Sequence, residues 1–107
     1  MTRYPLFFSY GNTIPGNNFL ATVKIHAGRA LMVKEDNDWW MYGVCPGSIS
    51  EGGQTPQEAY LKFCESFKEI LEDIAFDKKN FHDFEAEVKS FILCNDPNEE
   101  KVWLETR

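Results

Sequence analysis

Five side chains in this sequence could act as nucleophiles, bases or soft metal ligands: Cys45, Cys64, Cys94, His26 and His82. A structural zinc site needs its thiolates and imidazoles grouped a few residues apart. These five are spread too widely for that, so no metal and no other cofactor is expected. A cysteine nucleophile needs a histidine within hydrogen-bond reach, and Cys45 could meet His26 on a neighbouring strand. Cys45 precedes a Pro-Gly turn rather than a helix N-terminus, however, so nothing evident lowers its pKa. Reduced thiols behaving as small core hydrophobes are the plainer reading.

The carboxylates give a similar answer. Metal-assisted hydrolysis holds acids on a strand and a nearby helix around a shared divalent ion, whereas Glu35, Asp36 and Asp38 crowd one polar turn. The strands before that turn carry Lys24, His26 and Lys34 instead. Gly52-Gly53, ahead of a helix start, suggests an anion site. Thr55 would cap one of the free amides there, Pro56 has none, and no Lys stands at the phosphate-loop position. No catalytic set is assembled, and the chain reads as a non-enzyme. What remains are Trp39 and Trp40, which point to opposite faces of one strand. One belongs to the core; the other is covered by an N-terminal arm or by helices, or is exposed as an interface residue.

The elements that must position these groups follow from pattern. Residues 1–18 mix the apolar Tyr4 to Tyr10 stretch with the turn formers Gly11 to Asn18, which argues for a loop or turn. This arm packs as an added strand or is a lead-in. Phe19, Ala21, Val23, Ile25 and Ala27 alternate with Leu20, Thr22, Lys24 and His26 as one strand, Gly28-Arg29 reads as a hairpin turn, and Leu31 to Lys34 as a second strand. The polar turn Glu35 to Asp38 leads into the aromatic strand Trp39 to Val44, ended by Pro46-Gly47, and Ser48 to Glu51 supplies a brief further strand. Thr55-Pro56-Gln57-Glu58 combines an N-cap hydroxyl, Pro at the first helical position and Glu three residues on. The apolar stripe Ala59, Tyr60, Phe63, Phe67, Ile70, Leu71 and Ile74 then defines a helix of about five turns. Asn80 caps a second helix with Phe81, Phe84, Val88, Phe91 and Ile92. Asp96-Pro97-Asn98-Glu99 repeats the cap and favours a short third helix, Pro97 to Thr106, over a terminal strand through Val102-Trp103-Leu104.

With 107 residues, 43% hydrophobic and 15% aromatic, the chain fits a single domain, 1–107, divided into the arm 1–18, a β-meander 19–54 and a helical part 55–107. The expected class is α+β: an antiparallel meander of three to four strands packed against C-terminal helices. Eleven bases, scattered along the chain, against 17 acids leave a charge of −6, which disfavours direct nucleic-acid binding and suits a basic protein partner. Three unpaired cysteines and the lack of a membrane-length apolar run point to a cytoplasmic protein with no membrane association.

Asp38-Trp39-Trp40, the Cys45-Pro46-Gly47 turn and Gly53-Gln54-Thr55-Pro56-Gln57-Glu58-Ala59 together resemble the HicB-like antitoxin domains: an aromatic strand, a Pro-containing turn, then Gly-x-Thr-x-x-Glu-Ala opening a helix. The resemblance covers about a third of the chain, or half with the preceding hairpin. It implies a partial ribonuclease H-like fold of the β-β-β-α type without nuclease carboxylates, and inhibition of a HicA-like toxin, a small basic protein that cleaves mRNA. Residues 78–107 carry neither a helix-turn-helix nor a ribbon-helix-helix pattern. The expected function is therefore non-enzymatic protein–protein interaction, with Trp39, Trp40 and Glu51 as candidate partner-binding residues. The alternative is a stand-alone homo-oligomeric domain, a dimer or larger, with a structural or ligand-binding role and no toxin partner.

Overall fold

The computed structural model describes residues 2–106; Met1 and Arg107 lie outside the described residues. Four strands, β1 (Thr2–Pro15), β2 (Leu20–Glu35), β3 (Asp38–Cys45) and β4 (Ser50–Gly53), precede three helices, α1 (Pro56–Asp77), α2 (Phe81–Ile92) and α3 (Pro97–Thr106). The sheet is antiparallel throughout in the order β1-β2-β3-β4. This is the α+β meander-then-helices arrangement that the sequence pattern implies.

The N-terminal arm is a strand and not a loop. Tyr4, Leu6, Phe8 and Tyr10 follow the two-residue period of a half-buried strand. Phe8 is buried, and Leu6 and Tyr10 pack beside it on the main core. β1 pairs with β2 along nearly its whole length, from Thr2↔Lys34 to Pro15↔Leu20. Gly11 and the prolines, which look like turn formers in isolation, are accommodated because β1 is an edge strand and an edge proline leaves no ladder bond unmade.

Gly28-Arg29 is not a hairpin turn; β2 runs straight through it. The register steps from Phe8↔Gly28 to Tyr10↔Ile25, so His26 and Ala27 lie opposite Ser9 alone. That is a β-bulge, and it switches the inward parity of β2 from Ala21, Val23 and Ile25 to Ala30 and Met32. Gly28 is required by close approach: an added Cβ would lie 2.5 Å from the Phe8 ring.

Two cores lie on opposite faces of the sheet. On one, α1 and α2 deliver Phe63, Phe67, Leu71, Phe84 and Val88 onto Phe8, Ile14, Met32 and Met41. On the other, α3 delivers Trp103 onto Leu31, Val33 and Val44. α3 is fastened there by Arg29, whose guanidinium donates to Glu100 at 2.8 Å and lies 5.2 Å from the Trp103 ring centre. The caps act as expected: Thr55 Oγ1 accepts from Glu58 N–H, Asn80 Oδ1 from Asp83 N–H, and Asp96 Oδ1 from the Asn98 and Glu99 amides.

The β1–β2 turn has a second task. α1 ends with no basic residue in its last turn, leaving its terminal carbonyls in want of donors. Asn17 Nδ2 supplies them, donating to Phe76 O at 3.1 Å and Lys78 O at 3.0 Å. Asn17→Ala is expected to cost about 1–2 kcal/mol and to speed amide exchange in the last turn of α1. Denaturant unfolding with hydrogen exchange checks both; an unchanged midpoint would remove Asn17 from the tie.

Candidate functional site

The parity of β3 separates the two adjacent tryptophans. Trp39 shares its face with Met41 and packs on the main core, with Tyr4 of β1 stacked on it at 5.9 Å and Lys34 Nζ 5.8 Å from the ring centre. It is the tryptophan covered by the N-terminal arm. Trp40 faces the other way, is 36% exposed, and stacks on Tyr42 two residues along at 6.2 Å and 18°. Helix α3 covers that face through Trp103, which packs on Leu31, Val33 and Val44, and Trp40 stands between Val33 of β2 and Gly52 of β4 in the ladder. A Cβ at Gly52 would sit 2.8 Å from the indole, so the absent side chain is what lets the ring lie flat on the sheet.

Beside Trp40 is a groove of about 420 Å³ at the β4 edge, lined by Asp38, Trp40, Glu51, Gly52, Gly53, Gln54, Glu58 and Lys62. Six strand and turn positions and the first two turns of α1 meet here because Gly53 allows the helix start to approach: its Cβ would lie 2.8 Å from Glu58 Cβ and 2.9 Å from Ala59 N. Three carboxylates face one cation. Lys62 and Glu58 pair at 3.3 Å across one helical turn, a half-exposed pair worth little. Glu51, opposite Met41 in the ladder, accepts a hydrogen bond from the Ser66 hydroxyl of α1. Its carboxylate is held in place while still reaching the groove.

Of the residues singled out from sequence, Trp40 and Glu51 therefore meet at one groove, and Trp39 is turned into the core side. Sequence reasoning missed Tyr42, Glu58 and Lys62. Tyr42 was findable from its two-residue spacing to Trp40. Glu58 and Lys62 depend on where α1 crosses the strand ends, which no local pattern encodes.

The remaining reactive groups are dispersed. Cys45 lies opposite Arg29 and not His26, and its Sγ donates to Ile92 O at 3.3 Å. Burial pushes the Cys64 thiol up from its ordinary value, partly countered by a hydrogen bond with Tyr60. Among the described residues no group of three or more His, Cys, Asp or Glu is placed to hold a metal ion, and no helix is long and apolar enough to cross a membrane. Cys94 is exposed, whereas Cys45 and Cys64 are half-buried. Titration of the folded protein with a thiol reagent should show one fast thiol, abolished by Cys94→Ser, with Cys64 at least about tenfold slower. A second fast thiol surviving that substitution would contradict this burial pattern.

No family model, no curated protein and no solved structure matches the chain. The functional reading therefore rests on the motif resemblance of residues 38–59 and on the site.

Proposed function

We propose that this chain is a cytoplasmic, non-enzymatic, HicB-like protein that acts by protein–protein contact, blocking a small basic, HicA-like RNA-cleaving toxin. The observation that carries the reading is the groove at the β4 edge, where the exposed Trp40, backed by the half-buried Tyr42, adjoins Asp38, Glu51 and Glu58. An aromatic face rimmed by carboxylates suits an arginine or lysine side chain, which gains from ring and charge at once. The acidic balance of the chain, −6 overall, extends the attraction beyond the contact and speeds encounter with a basic partner.

Two substitutions probe different parts of this attraction. Trp40→Ala removes the anchor and should weaken binding about tenfold to a hundredfold. Glu51→Gln with Glu58→Gln should slow association and flatten its salt dependence. The measurement is co-purification and calorimetry with any short basic protein encoded next to this chain. Absence of a complex, or a complex indifferent to Trp40→Ala, would overturn the reading.

A further inference from the structure

The charges along the chain are segregated. Residues 1–34 contain Arg3, Lys24, Arg29 and Lys34 and no acid, so all 17 carboxylates lie from Glu35 onward. The chain is +4 up to Lys34 and −10 beyond it. Two copies at −6 each repel through most of their surface. The approach that meets least repulsion is along β1, whose one charge is Arg3.

β1 is also an edge. Only β2 pairs with it among the described residues, which leaves one side of a 14-residue strand as a row of backbone donors and acceptors without a ladder partner. Gly16 N–H donates across the turn to Phe19 O at 2.8 Å, so by strand alternation the even-numbered amides of β1 face β2 and the odd-numbered ones face outward: Thr13 N–H is taken by its own neighbour, Asn12 Oδ1, at 2.8 Å, and Pro5 and Pro15 have no N–H to give. Between them, Phe7, Ser9 and Gly11 present three outward donors. That short row is bounded at each end by a residue with no donor to offer.

We propose that β1 pairs antiparallel with β1 of a second copy about a two-fold axis at Ser9, so that Ser9 faces Ser9 and Phe7 faces Gly11. In this register Pro5 falls opposite Thr13, and the new ladder stops where both lack a free donor. Phe7, 61% exposed, comes to lie beside a residue with no side chain, where an added Cβ would have 3.8 Å of clearance to its nearest neighbour. An aromatic ring covering an edge glycine across the ladder is a recurring stabilising pair. The contact is isologous and closes on itself, giving a dimer and not a filament. It joins two four-stranded sheets into one of eight and leaves the β4 groove open at each outer edge, so the dimer stands or falls separately from the toxin reading.

Light scattering on the full chain should give twice the 12.4 kDa monomer mass. Directly opposed residues of a hydrogen-bonded pair have Cα atoms about 5.5 Å apart, which a disulfide spans. Ser9→Cys in a Cys94→Ser background should therefore form an intermolecular disulfide under mild oxidation, and Thr13→Cys in the same background should not. Ser9→Pro removes a pairing donor at a position facing away from β2, and should raise the dimer dissociation constant about tenfold or more with an unchanged circular dichroism spectrum. A monomer at millimolar concentration would overturn the proposal. So would a dimer that Ser9→Cys does not cross-link.

Discussion

Phe67→Ala should destabilise the protein by about 3–5 kcal/mol, the range for deleting a fully enclosed aromatic side chain. Phe67 is completely buried and is the point where three elements meet. Its ring stacks on Tyr10 of β1 at 4.5 Å, meets Phe8 of β1 edge-on at 6.5 Å, and meets Phe91 of α2 edge-on at 5.5 Å. Truncation forfeits the apolar area of the side chain and three ring contacts, and it opens a cavity that neighbours on two helices and a strand cannot all relax into. A domain of this size has about 5–15 kcal/mol in total, so the loss is a large fraction. At roughly 4–8 °C per kcal/mol, the melting temperature should fall by more than about 12 °C. The matched control is Phe76→Ala on the same helix: Phe76 is 84% exposed and its loss should stay within about 0.5 kcal/mol. Thermal and denaturant unfolding of the two variants decide the matter, and equal effects would mean that α1 presents a different face to the sheet.

That experiment also tests the part of the fold that was most legible in the sequence. The face of α1 is written in the spacing of Ala59, Phe63, Phe67 and Leu71, all buried, and its start in the local chemistry of Thr55 and Pro56. Helix α3 was legible for the same reason: Asp96 binds the amides two and three residues on, a contact that involves no distant partner. What was not legible is what distant partners decide. β1 carries Gly11, Pro5 and Pro15, and only its position at the sheet edge makes them tolerable in a strand. Gly28 resembles a turn residue because the feature that demands a glycine, the Phe8 ring, is twenty residues away. The site divides in the same manner. That Trp39 and Trp40 point apart follows from strand geometry alone, but which of them faces solvent depends on the side of the sheet that α1 and α2 occupy. The groove needs the crossing of α1 over the β4 end, and neither segment announces the other.

The second large effect is expected at Gly47, in the turn between β3 and β4. Its N–H donates to Cys94 O at 2.8 Å, and Asp96 N–H donates to Val44 O at 3.0 Å, so this turn is bonded directly to the segment that leads into α3. A Cβ on Gly47 would lie 2.3 Å from Asp96 N, 2.8 Å from Asp96 Cβ and 2.9 Å from Asn95 C. Two of those three atoms are backbone, and no rotamer change can move them aside. Gly47→Ala must therefore push residues 94–96 off the turn, loosening two backbone hydrogen bonds together with the Asp96 cap. The cost should reach or exceed the upper part of the 1–3 kcal/mol typical of overpacking, about 3 kcal/mol. Because α3 holds its face of the sheet through Trp103 and the Arg29–Glu100 pair, the loss should concentrate there. Trp103 emission should shift to the red, and protease should cut between Leu93 and Asp96 faster than anywhere in α1. Trp39 and Trp40 also emit, so the comparison is best made with Trp39→Phe and Trp40→Phe in the background. Wild-type stability and an unshifted Trp103 in the Gly47→Ala protein would show that α3 is not anchored through this turn. Equal loss of protection across α1 and α3 would show that the two faces of the sheet unfold as one unit.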